Sequence, residues 1–155
     1  MASDTNPITG SATTTINKPI GEVFAAVADI TKMGDRSPEC LAARWVDGAD
    51  GPATGAKFEG DNLAKIGPIT MKRWTTTSEI TEYSPDEVFE FLSAEKTTWR
   101  YELSEAEGKT VVTESFSYPP YEGFQKVLTQ LLNRPKGMVK GMQATLESIK
   151  TAVEG

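Results

Sequence analysis

The feature that most constrains the fold is a change of rhythm at Pro119-Pro120. From residue 40 to 118 apolar and β-branched residues recur every second position; from there to the end they recur every third or fourth. Leu41, Ala43 and Trp45 alternate before the turn residues Asp47-Gly48 and Asp50-Gly51-Pro52. Phe58, Gly60 and Asn62 share one parity. Trp74, Thr76, Ser78 and Ile80 share another within a long strand predicted over 68–83. Ser84-Pro85-Asp86 is a turn, Phe89 and Phe91 follow, then Trp99, Tyr101 and Leu103, a turn at Glu107-Gly108-Lys109, and a last strand with Val112, Phe116 and Tyr118 on one face. Consecutive strands joined by short turns predict an antiparallel meander with one buried face.

The segments outside this meander complete the pattern. Residues 8–17 read as a further strand. Pro19 suits a helix start, and Ile20, Val23, Phe24 and Val27 form one apolar helical face. A short irregular or helical stretch runs to Pro38. After Pro119-Pro120, Phe124, Val127, Leu128, Leu131 and Leu132 make one apolar stripe, and Met138, Val139, Met142, Leu146, Ile149 and Val153 make another. Asn133-Arg134-Pro135 between them should kink or break the helix, because proline removes a donor and clashes one turn back. The predicted order is strand, helix, short helix, six strands and a C-terminal helix from about 122 to 153. No repeat or linker divides the chain, so residues 8–155 read as a single domain behind a flexible stretch at 1–7.

Composition narrows the chemistry. With no histidine among 155 residues there is no Ser-His-Asp triad and no His-ligated zinc; with one cysteine, Cys40, there is no intramolecular disulfide and no thiolate cluster. No phosphate-loop, dinucleotide, metalloprotease or calcium-loop pattern occurs, so no cofactor and no metal is expected. A net charge of −6 speaks against a nucleic-acid partner. The longest apolar run, Val23 to Ala28, is too short to span a bilayer. The expectation is a soluble cytoplasmic protein with no integral membrane association, either a monomer or a weak homodimer.

Ser37-Pro38-Glu39-Cys40, the run Gly55-Ala56-Lys57-Phe58-Glu59-Gly60-Asp61-Asn62, Arg73-Trp74-Thr75-Thr76, Phe89-Glu90-Phe91, Trp99-Arg100-Tyr101, Thr113-Glu114-Ser115-Phe116 and the helix from Gly141-Met142 to Lys150 occur in an order and spacing that resemble the SRPBCC superfamily. This is the START-like or helix-grip fold of the major birch pollen allergen and of bacterial polyketide cyclase/dehydrase-type proteins. The resemblance covers nearly the whole chain. It implies an α+β fold in which a curved, antiparallel seven-stranded sheet wraps a long C-terminal helix in the order β-α-α-β6-α. It also implies a cavity between sheet and helix that takes a lipid-, polyketide- or sterol-like ligand. It carries over no shared catalytic residue.

Within that frame the aromatic residues Trp74, Phe89, Phe91, Trp99, Tyr101, Phe116 and Tyr118 fall on the concave parity, where they either line an apolar pocket or form plain core. Phe124, Leu128, Met138, Met142 and Leu146 are the matching helical residues, with methionine suited to a surface that accepts several ligands. Asn62 either places an amide at the pocket mouth or sits at an edge. Glu39 caps a loop or pairs locally. Cys40 is a small core residue with no neighbouring base to activate it.

Glu114 is the most informative polar residue. Its parity with Val112 and Phe116 points it inward, where a carboxylate must be paired, hydrogen-bonded or protonated. It is a structural partner of an arginine such as Arg73 or Arg100, a ligand anchor, or a general acid/base. The Tyr101 hydroxyl either polarises a carbonyl or satisfies the backbone. Three readings of function follow. One is a binder or carrier of a small hydrophobic molecule. Another is a cyclase or dehydratase using Glu114 and Tyr101. The last is an interaction module whose interior is filled by its own side chains. Lys126, Lys136, Lys140 and Lys150 fall on polar helix positions and read as a solvated face.

Overall fold

Residues of alternating polarity become six consecutive strands, and a seventh from the N-terminus closes the sheet. The computed structural model describes residues 6–155, apart from Glu39, Gly67 and Glu95 and the side chains of Lys65, Ile66 and Thr129. The elements are β1 (Ile8–Ile16), α1 (Ile20–Ala28), a 3₁₀ turn (Ile30–Lys32), α2 (Met33–Arg36), β2 (Cys40–Val46), β3 (Lys57–Ile66), β4 (Ile69–Ser84), β5 (Val88–Ser93), β6 (Thr97–Ala106), β7 (Lys109–Tyr118), α3 (Gly123–Leu131) and α4 (Arg134–Glu154). The readings of residues 1–5 and of Glu39 lie outside the described residues.

The sheet runs β1-β7-β6-β5-β4-β3-β2, every pair antiparallel. The β6–β7 hairpin closes through Glu107 and Gly108, with φ of 54° and 78°. Two central residues at positive φ match the right-handed twist of the flanking strands, which is why a two-residue turn holds this register. Irregular pairing at Cys40/Ala42, Ala64/Lys65 and Ile80/Glu82 interrupts the ladders on the β2–β5 side, where bulges bend strands.

α4 lies along β1 and reaches α1, α2 and β7. Lys150 Nζ donates to the Thr15 carbonyl at 2.7 Å, and the Asn17 amide donates to Glu154 Oε2 at 3.1 Å, so the C-terminal end of α4 is pinned to β1. The core forms where the inner parities of the strands meet α1 and α4: Ile16, Val23, Ile80, Phe89, Val112, Phe116, Leu146 and Ile149 are all buried. Gly10 makes this contact possible, since a Cβ there would sit 2.6 Å from the Phe116 ring and 2.9 Å from Val139.

The expected kink or break in the C-terminal helical region is a break, which divides it into α3 and α4. Asn133, at φ 49° and ψ 56°, is left-handed and serves as the N-cap of α4, with Pro135 following at the second helical position. A left-handed residue cannot continue a helix, and proline is tolerated only in a first turn. Gly137 lies inside α4. Of these two helices, α4 covers the sheet. α3 stands off it, with Phe124, Val127, Leu128 and Leu131 exposed.

Candidate functional site

Between the concave face and α4 lies a cavity of about 140 Å³. Its apolar wall is built by Val27, Met33, Phe58, Phe91, Trp99 and Met142, with Met138 and Ile149 beside them. Its polar wall is built by Arg36, Asn62, Thr76, Ser78, Tyr101 and Glu114, with Ser93 and Thr145 beside them. Three strand pairs bring part of these walls together. Phe58 stands opposite Ser78, Gly60 opposite Thr76, and Tyr101 opposite Glu114. Partners in an antiparallel ladder share a face, so strand register delivers the strand-borne part of the polar wall, while Arg36 comes from α2 and Thr145 from α4.

The centre of the site is the Tyr101–Glu114 pair. The Tyr101 hydroxyl donates to Glu114 Oε1 at 2.8 Å, and both side chains are buried. Glu114 Oε2 is buried and has no hydrogen-bond partner among the described residues. Burial pushes the Glu114 carboxyl up to about 8, and the tyrosine hydrogen bond draws it only partway back. At pH 7 the group is therefore mainly the neutral acid. Because Tyr101 occupies Oε1 as donor, the acid proton belongs on Oε2, the atom left without a partner. Burial also raises the Tyr101 hydroxyl well above its ordinary pKa, with Glu114 adding to the effect, so the phenol stays protonated. The site thus offers hydrogen-bond donors on the polar side of a cavity whose other side is apolar.

The expected arginine partner of Glu114 is not there. Arg100 points to the opposite face of the sheet, where it bonds Glu102 at 2.5 Å, Glu82 at 2.7 Å and Glu90 at 2.8 Å. Parity explains this: Arg100 follows Trp99 and precedes Tyr101, so it faces outward when they face inward. Arg73 is exposed. The arginine that reaches the cavity is Arg36, from α2. Its guanidinium donates to the Ala26 carbonyl, its pKa is lowered by burial, and its positive charge acts on Tyr101. α2 can approach this closely because Gly34 has no side chain: a Cβ there would lie 2.1 Å from the Leu41 carbonyl oxygen. Sequence reasoning missed Arg36, since a four-residue helix has too little periodicity to show which side faces in.

The other sequence candidates distribute as follows. Asn62, Phe91, Trp99, Tyr101, Glu114 and Met142 line the cavity. The Asn62 amide donates to Thr76 Oγ1 at 3.0 Å and to the Gly60 carbonyl at 3.1 Å. Phe89, Phe116 and Leu146 are buried behind the cavity in the core and do not border it. Phe124 and Leu128 do not border it either, because α3 stands away from the sheet. Trp74 has the concave parity but is 36% exposed. It sits where β4 has overshot β5: among the described residues β4 pairs with β5 only from Ser78 onward, and residues 69–77 have β3 as their ladder neighbour. Burial raises the Cys40 thiol, which stands at the cavity wall as a neutral group. Among the described residues no cluster of acidic or cysteine side chains could hold a metal ion.

A curved antiparallel sheet gripping a C-terminal helix over a mixed apolar and polar cavity defines a helix-grip protein of the SRPBCC type. The chain belongs to the polyketide cyclase / dehydrase and lipid transport family, whose model matches residues 7–154. Among solved structures it is similar to a polyketide-cyclase-like protein from Corynebacterium glutamicum, at 29% identity and TM-score 0.66 over 96% of this chain and 92% of that one. It is similar to an AHSA1-like protein from Aeromonas hydrophila, at 20% identity and TM-score 0.64 over 95% and 92%. It also resembles the di-domain ARO/CYC protein of the steffimycin biosynthetic pathway, at 12% identity and TM-score 0.74, over 96% of this chain and 51% of that one. A sequence search of the curated proteins finds no match. Among the described residues no helix is long and apolar enough to cross a membrane.

Proposed function

We propose that the protein binds and carries a small hydrophobic molecule of lipid-, polyketide- or sterol-like character, holding one ring-sized portion in the cavity with an oxygen acceptor against Glu114. The observation that carries this reading is the neutral Glu114 acid, with its unpartnered Oε2, set in the polar wall of the cavity across from an apolar one. A buried donor without a partner costs free energy, and a ligand carbonyl or hydroxyl recovers it. Size narrows the ligand. An engineered apolar cavity of about 150 Å³ holds benzene, so the 140 Å³ here suits a single ring, with the remainder of a larger ligand running out past Pro38 and Gly141. The working unit is taken as a cytoplasmic monomer or weak homodimer.

A fluorescent apolar probe with a carbonyl acceptor tests this. Binding is expected below about pH 8 and should weaken above it as Glu114 ionises. Glu114→Gln keeps a donor and should bind with little pH dependence; Trp99→Ala should change affinity at every pH. Binding with the same pH profile in Glu114→Gln as in the parent would remove Glu114 from the reading. Native mass spectrometry of the purified protein, showing retained lipid, would support it independently.

The same pair favours a second reading, a cyclase or dehydratase. A neutral carboxylic acid and a phenol side by side can protonate a developing alkoxide or a leaving hydroxyl. Turnover of a linear poly-β-ketone that falls in Glu114→Gln while binding persists would favour the enzyme; binding without turnover in the parent favours the carrier.

A further inference from the structure

We propose that the end of the molecule formed by the β3–β4 hairpin and α3 docks on an anionic lipid surface. The two elements leave the sheet at the same end. β3 turns into β4 at the pair Ile66 and Ile69, and β5 ends nearby at Ser93, paired with Ser78 and Thr97. Thr98 pairs with Ser117, so β7 also runs out at this end, and α3 follows it.

Large apolar side chains are exposed on both. Ile69 is 62% and Met71 58% exposed on the hairpin, and Phe124 and Leu131 are 79% and 78% exposed on α3. Phe124, Val127, Leu128 and Leu131 fall on one helical stripe, with Gln125, Lys126 and Gln130 opposite. A nine-residue helix exposed at every described side chain is shorter than helices that stand alone in water. An apolar exposure of this extent marks a face that something covers.

Charge identifies what covers it. The chain has a net charge of −6, yet no aspartate or glutamate occurs from residue 62 to 78 or from 123 to 146. These two stretches hold seven of the 16 basic residues and none of the 22 acidic ones. Lys72, Arg73, Lys136 and Lys140 are exposed, and among the described residues none of them is held in an ion pair. Lys72 Nζ lies 5.5 Å from the centre of the Trp74 ring, which pairs the anchor types enriched at membrane interfaces. A second copy of this chain would bring the same basic rim against itself. An anionic bilayer offers opposite charge at its surface and apolar depth beneath it, the two properties that this end combines. The inference stands whatever the cavity holds, because it uses none of the cavity's residues.

Sedimentation of the full chain with phosphatidylcholine vesicles, with and without phosphatidylglycerol, tests it. Binding is expected only with phosphatidylglycerol, weakening as salt screens the contact. Tryptophan emission should shift to the blue on binding, and Trp74→Phe should remove most of that shift. Lys72→Glu with Arg73→Glu, and separately Lys136→Glu with Lys140→Glu, should each weaken binding about tenfold or more. Phe124→Ser with Leu131→Ser should abolish it while thermal unfolding is unchanged; if that variant fails to fold, the charge reversals decide. Equal binding to both vesicle types, no binding to either, or charge reversals without effect would overturn the proposal. A concentration-dependent dimer lost in Phe124→Ser/Leu131→Ser, without vesicle binding, would assign the face to a second copy instead.

Discussion

A glutamate is inside this protein and a phenylalanine is outside. On the β6–β7 ladder, Tyr101, Leu103, Val112, Glu114 and Phe116 are all buried beneath α1 and α4, the carboxyl included. On α3 and the β3–β4 hairpin, Phe124, Leu131, Ile69 and Met71 all face out. Side-chain polarity does not explain this contrast; cover does. α4 seals the first region by packing along β1 and bonding to it at its C-terminal end, whereas the hairpin overshoots β5 and α3 is turned off the sheet at Asn133. In the sealed region desolvation is strong enough to keep an acid neutral at pH 7. In the open region no such force acts, and the stretches 62–78 and 123–146, which hold its exposed apolar residues, carry only basic charge.

The largest expected effect sharpens the sealed side. Glu114 has a carboxyl pKa of about 8 in the fold against 4.5 for an ordinary glutamate. The folded state therefore holds its proton where the unfolded chain has lost it, so stability is complete below about pH 4.5 and declines as pH rises to about 8. The total is on the order of 4–5 kcal/mol. Urea unfolding across that range should show the decline in the parent, and Glu114→Gln should flatten it. Equal slopes in the two proteins would mean that water reaches the carboxyl. Tyr101→Phe should move the Glu114 titration still higher, because it removes the one hydrogen bond that favours the anion.

Matched leucines compare the two regions directly. Leu146→Ala, at a residue 1% exposed, should cost about 2–5 kcal/mol by leaving a cavity. Leu131→Ala should change stability by no more than about 0.5 kcal/mol. Denaturant midpoints of the two variants measure the contrast, and similar losses would show that α3 is packed in solution.

The junction comes next. Asn133 holds a left-handed conformation that alanine adopts at a cost of roughly 1–2 kcal/mol. Asn133→Ala should be destabilised by about that much, and Asn133→Gly should not be. Parity between the alanine and glycine variants would mean that the break between α3 and α4 does not depend on this residue. The smallest effect is on exchange alone: amides of α3 should exchange with solvent far faster than those around Leu146, with no change in global stability. Protection of α3 equal to that of α4 would contradict the open arrangement.

Much of this was legible in the residues themselves. Alternation over 40–118 set which side chains share a face. It placed Tyr101 and Glu114 on the inner one, and Asn62 with Thr76 and Ser78 on the adjoining strands. The Glu107-Gly108 turn and the Pro119-Pro120 boundary were equally local, because backbone conformations at positive φ and the lack of a proline amide act within a few residues. The order and spacing of the quoted segments carried the fold.

What the tertiary structure decided was coverage and partnership. Arg100 and Glu114 lie in paired strands but on opposite faces, so the arginine bonds three surface glutamates and the glutamate takes a tyrosine. Trp74 has the inner parity yet sits beyond the end of β5, and Phe124 and Leu128 have a core-like stripe yet follow a helix that leaves the sheet. Arg36 reaches the cavity only because Gly34 lets α2 press on β2. Periodicity states which residues point together, since it arises from the geometry of one chain segment. Whether anything lies over them depends on the lengths and junctions of segments distant in sequence, and that is a property of the assembled molecule alone.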